Sequence, residues 1–116
     1  MTPAQICNGP ISREFLRILG KERFGDMVKV VVDLERQKMA IGAGLHSDEE
    51  RMLLEDGSQQ ENLWGANVYP DRTGEDFIEI DSMINMRPNQ GNRSRDITDP
   101  ALRAAVIDSI NSQIIE

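Results

Sequence analysis

The sequence predicts an α+β fold. The expected form is a two-layer sandwich with a four-stranded, mostly antiparallel sheet and three helices, in the order α-β-β-α-β-β-α. Three observations carry this prediction. Segments 28–34, 38–43, 63–69 and 77–86 alternate apolar and polar side chains or are rich in β-branched residues, the period-two pattern of a half-covered sheet. Segments near both chain ends place apolar residues at helical spacing behind capping residues. Short polar turns join the strands in pairs, as hairpins require.

Residues 1–10 carry no periodic pattern and read as a flexible leader, leaving 11–116 as a single domain. Ser12 is placed to cap a first helix over 13–22, with Ile11, Phe15, Ile18 and Leu19 on one stripe. Glu35, Arg36 and Gln37 form the turn between the first two strands. Ser47 followed by Glu50 reads as a capping box for a second helix, which stops at Gly57. The third strand, 63–69, carries Trp64, Ala66 and Val68 on one face. Residues 70–74 turn into the fourth strand, 77–86, where Ile78, Ile80, Ile84 and Met86 share a face. Pro88 ends that strand. Asp99 and Pro100 are the N-cap and first position of a last helix over 100–115, whose broad apolar stripe suggests either two packing surfaces within the protomer or an oligomer contact; a homo-oligomer, a dimer, is expected.

Charge narrows the function classes. The chain of 116 residues has net charge −7. Residues 1–38 hold seven basic and five acidic side chains, 39–86 two and eleven, and 87–116 four of each. The acidic middle disfavours attraction to a nucleic acid backbone, and the few aromatic residues give no base-stacking platform. No apolar run is long enough to span a membrane, and no secretory signal pattern opens the chain. Cys7 is the lone cysteine and cannot form an internal disulfide, so a cytoplasmic location is expected. Gly42-Ala43-Gly44 lacks the lysine of a phosphate loop and the full dinucleotide fingerprint, and no cofactor is expected.

The functional expectation centres on the loop from Arg87 to Arg95, which concentrates arginine, asparagine and serine between a strand and a helix start. Guanidinium forks and a helix N-terminus both suit anions. The leading reading is a small binding module for an anionic or polar ligand, held by Asn85, Arg87, Asn92, Arg93 and Ser94, with Gln60 and Trp64 alongside. A second reading is an acid–base or metal-assisted hydrolase using His46, Glu50 and Glu55. His46 and Glu50 lie four apart, but a zinc site needs a third ligand that the spacing does not supply, so no metal is assigned. A third reading is a structural or interaction subunit whose loop side chains are spent on internal or subunit contacts.

Residues 45–50, 54–70 and 84–94 also carry a resemblance. They include Leu45-His46-Ser47-Asp48-Glu49-Glu50, Leu63-Trp64-Gly65-Ala66-Asn67-Val68-Tyr69-Pro70 and Ile84-Asn85-Met86-Arg87-Pro88-Asn89-Gln90-Gly91-Asn92. These stretches resemble a family of small prokaryotic proteins of unknown function. The resemblance implies a shared small cytoplasmic fold and draws attention to His46, Glu50, Glu55, Asp56, Gln60, Trp64, Asn85, Arg87, Asn92 and Arg93, without giving any of them a role.

Overall fold

In the computed structural model, which describes residues 1–116, the main sheet has five strands in the order β1-β4-β3-β5-β6. These are β1 (Gln5–Ile6), β3 (Val28–Asp33), β4 (Lys38–Ile41), β5 (Leu63–Val68) and β6 (Ile78–Glu79), and every neighbouring pair is antiparallel. Two short strands, β2 (Ile11–Ser12) and β7 (Ile114–Ile115), pair in parallel apart from it. Three helices complete the chain: α1 (Arg13–Arg23), α2 (His46–Glu55) and α3 (Pro100–Ser112).

The α+β class and the two antiparallel hairpins match the sequence reading. The two-layer arrangement does not. Alternation along β3 sends Val28, Val30 and Val32 to one face, where they pack with Leu16 and Leu19 of α1 and Val106 and Ile110 of α3. Val31 faces the other way and meets Ala40, Leu63 and Leu53 of α2. Helices therefore cover both faces, and α2 stands alone on the second. The wide apolar stripe of α3 is used within the chain, since Leu102 and Ile107 pack against the main core, as does Ile114 of β7.

The sequence placed a leader at residues 1–10, but Gln5 and Ile6 extend the sheet by pairing with Ile41 and Ala40, and Cys7 is buried behind them. Burial pushes the Cys7 thiol up to about 11, with nearby Glu49 adding to the effect. The helix caps of α1 and α3 are as expected: Ser12 accepts from the Phe15 amide at 3.0 Å, and Asp99 from the Leu102 amide at 2.9 Å. The last helix ends at Ser112, two residues before β7 turns Ile114 and Ile115 onto Ile11 and Ser12.

The expected strand over 77–86 is the largest correction. Only Ile78 and Glu79 join the ladder, against Val68 and Asn67. Continuing the register would pair residue 81 with Gly65, but the Gly65 backbone is already bonded to the Asn85 side chain. The chain instead turns at Ser82, whose hydroxyl accepts from the Ile84 amide at 3.3 Å, and makes a short 3-10 turn over Met83–Asn85.

Candidate functional site

β5 has a free edge beyond the two residues that β6 covers, and loop side chains close it. The Asn85 carboxamide accepts from the Gly65 amide at 2.9 Å and donates to the Gly65 carbonyl at 3.0 Å. Arg87 donates from its two terminal nitrogens to the carbonyls of Leu63 and Gln60. Its guanidinium carbon lies 3.8 Å from the Trp64 ring centre, a cation–π stack. A buried strand edge requires partners for its N–H and C=O groups, and these two side chains supply them in place of a neighbouring strand.

The rest of the loop is tied in the same manner. Backbone bonds between Arg87 and Asn92 close residues 87–92 into a tight turn. The Asn92 amide group donates to the carbonyls of Asn85, Ser94 and Asp96 at 2.7, 3.0 and 2.9 Å. Its side-chain oxygen accepts from both the amide and hydroxyl of Thr98. Ser94 accepts from the Asp96 amide at 3.1 Å. Trp64 is 2% exposed and belongs to the main core. Gln60 contributes its carbonyl, while its side chain is exposed. Thus Asn85, Arg87 and Asn92 are brought together, but as internal struts. Arg93 points to solvent and makes no hydrogen bond or ion pair.

The catalytic set from the sequence does not assemble. His46 starts α2 and is buried against β5, Glu50 lies one turn on, and Glu55 is exposed at the far end. No group of three His, Cys, Asp or Glu side chains converges as metal ligands would. Glu50 has a buried, unbonded oxygen and acts on Arg87 by charge, and it makes no hydrogen bond to His46.

A cleft does exist elsewhere, at the start of α2. It measures about 330 Å³ and is lined by Lys29, Leu45, His46, Ser47, Ser82, Met83, Ile84 and Arg95. The sequence predicted a cap by Ser47, but the N-cap falls two residues earlier, at Leu45, which offers no side-chain acceptor. Tertiary bonds set that start. His46 Nε2 donates to the Ala66 carbonyl at 2.8 Å, and the Glu49 carboxyl accepts from the Ala43 amide at 2.9 Å. The amides of His46 and Ser47 consequently have no intrahelical acceptor.

Burial holds the His46 imidazole at about 4, so it is neutral near pH 7. A carbonyl only accepts, so Nε2 carries the proton and Nδ1 presents a lone pair without a protein donor. Gly65 makes this packing possible. A Cβ there would lie 2.8 Å from Ser82 Oγ, 2.9 Å from Ser82 Cβ and 3.2 Å from His46 Cδ2.

The cleft charges are favourable to an anion. Lys29 makes no ion pair and leans over the Phe24 ring at 5.3 Å. Arg95 pairs with Asp81 at 2.5 Å. Of the acids in the first turn of α2, Asp48 pairs with Arg51 at 3.0 Å, and burial raises Glu49 well above the usual carboxyl range. A larger groove of about 650 Å³ runs beside α3, but its Arg103 is paired with Asp96 and its other charges, Glu75 and Asp76, are exposed acids.

Sequence reasoning missed Lys29 and Ser82 as site residues, read Ser47 only as a cap, and left Arg95 out of the binding set. Lys29 was visible as a break in the apolar run of β3, but nothing local joins it to residues more than fifty positions away.

Fold and cleft together define a small α+β protein with a cationic recess at an uncapped helix start. The chain belongs to the family described as protein of unknown function (DUF5674), which matches residues 5–113. No match is found among the curated proteins. None is found among the solved structures. No helix is long and apolar enough to cross a membrane.

Proposed function

We propose that this protein is a binding module for a small anionic or polar ligand, with the ligand held at the start of α2. The observation that carries the reading is the pair of unbonded amides, His46 and Ser47, at the start of that helix beside a cleft lined by Lys29 and Arg95. Unbonded amides and the helix dipole favour negative charge there, and two cations reinforce it. The arginine loop takes part through Arg95, while Asn85, Arg87 and Asn92 hold its shape. Ser47 and Ser82 add hydroxyls that can donate. The lone cysteine, buried and unpaired, supports a cytoplasmic setting.

The test is ligand-induced stabilisation at low ionic strength, because a ligand that binds only the folded state raises the melting temperature. Glycolate should stabilise the wild-type protein, less so at high salt. Lys29→Met should abolish the effect while keeping the wild-type melting temperature without ligand. An equal glycolate response in wild type and Lys29→Met would contradict the reading.

A further inference from the structure

The cleft has more than charge in it, and three features constrain what it takes. The first is the amount of charge: Lys29 is free of ion pairs, whereas Arg95 is already shared with Asp81. The three groups leave one uncompensated positive charge, which matches a carboxylate better than a phosphate dianion. The second is the rim. Leu45 is 58% exposed and Met83 64% exposed, with Ile84 half-buried beside them. These residues line the same cleft as the cations, and a methionine side chain adapts to varied apolar shapes. The third is His46, which is 7% exposed and lines the cleft with Nε2 committed to Ala66. Nδ1 is therefore an acceptor in need of a donor. A ligand that displaced water from it without bringing an N–H or O–H would bind more weakly.

Building on the proposed anion site, we infer that its ligand is a small amphipathic carboxylate that carries a neutral hydrogen-bond donor beside the acid group and an apolar tail. The carboxylate lies at the His46 and Ser47 amides between Lys29 and Arg95. The donor meets His46 Nδ1, and the tail lies on Leu45, Met83 and Ile84. A volume of about 330 Å³ is at the small end for ligand pockets, in keeping with a compact acid.

Four probes separate these features by calorimetric titration of the intact protein. Leucate is a hydroxy acid with a branched tail. Isocaproate keeps the acid and tail without the hydroxyl. Glycolate keeps the acid and hydroxyl without the tail. Isohexanol keeps the tail without the charge. Leucate should bind about tenfold or more tightly than each of the others, the ratio a single well-placed interaction gives. Met83→Ser, at an exposed side chain, should lower leucate binding toward the glycolate level and lower glycolate binding much less, since glycolate feels only the loss of the Met83 Sδ contact to Arg95 at 3.8 Å. If isocaproate equals leucate, the donor to His46 is wrong. If glycolate equals leucate, the tail site is wrong. In both cases the anion site itself stands. If none of the acids binds folded protein, the inference and the anion site fall together.

Discussion

The Asn85 carboxamide pairs with both backbone groups of Gly65, at 2.9 and 3.0 Å, doing for β5 what a residue of an adjacent strand would do. It also donates to the Arg95 carbonyl at 3.0 Å, so the same side chain fixes the loop that carries Arg95 to the cleft. Asn85→Ala leaves buried amide and carbonyl groups of Gly65 unmet. The expected loss is on the order of 2–4 kcal/mol of stability, read from denaturant midpoints at constant m-value. Asn85→Asp keeps the acceptor but loses the donor, and is expected to be no better than the alanine.

Gly65 leaves no space for a methyl group. Ser82 Cβ lies 2.9 Å from where it would be, and that atom is held by the 3-10 turn behind it. Gly65→Ala should cost about 1–3 kcal/mol through overpacking. It should also displace His46 and Ser82, so leucate binding weakens even where the protein remains folded.

Arg87 and Arg93 should behave in opposite ways. Arg87 is buried, stacked on Trp64 and bonded to two carbonyls. Lysine cannot reproduce a planar fork, so Arg87→Lys should destabilise by about 2 kcal/mol or more. Arg93 is exposed and unbonded, and Arg93→Ala should change stability by less than about 0.5 kcal/mol. Measured ligand affinity should be unaffected by Arg93→Ala, because the cleft does not include it.

These contrasts explain what could be read from the sequence. The caps at Ser12 and Asp99 and the hairpin turns are local, so residue type and spacing reveal them. The strand expected over 77–86 failed because Asn85, from within that stretch, fills the ladder position opposite Gly65. The arginine-rich loop looked like a receptor because its charge is visible in sequence, whereas the strand carbonyls at Gln60 and Leu63 that take up Arg87 are not. The cleft was hidden for the opposite reason. Lys29, Ser47, Ser82 and Arg95 come from separate segments, and only folding puts them side by side.

Two buried groups on α2 give opposite pH dependences. The folded-state pKa of His46 is depressed to about 4 by burial. Its contribution is present above about pH 6.5, the unfolded value, and is lost as pH falls toward 4, by on the order of 3 kcal/mol. The folded-state pKa of Glu49 is raised by burial, so its contribution is present below the unfolded value and lost as pH rises toward the folded one. Glu49→Gln should therefore stabilise the protein at pH 7 and leave stability nearly unchanged at pH 4. Stability measured across pH should keep the acid limb due to His46 in that variant. A Glu49→Gln protein less stable than wild type at pH 7 would show that the carboxylate is charged and partnered in the folded state.

The most direct measurement on the central claim is a backbone amide chemical-shift titration of the wild-type protein with leucate. Saturable shifts should concentrate at His46 and Ser47, with smaller ones at Lys29, Ser82 and Arg95, and Lys29→Met should suppress them. Shifts centred instead on Arg93 and its neighbours, with His46 and Ser47 unmoved, would contradict a ligand site at the start of α2.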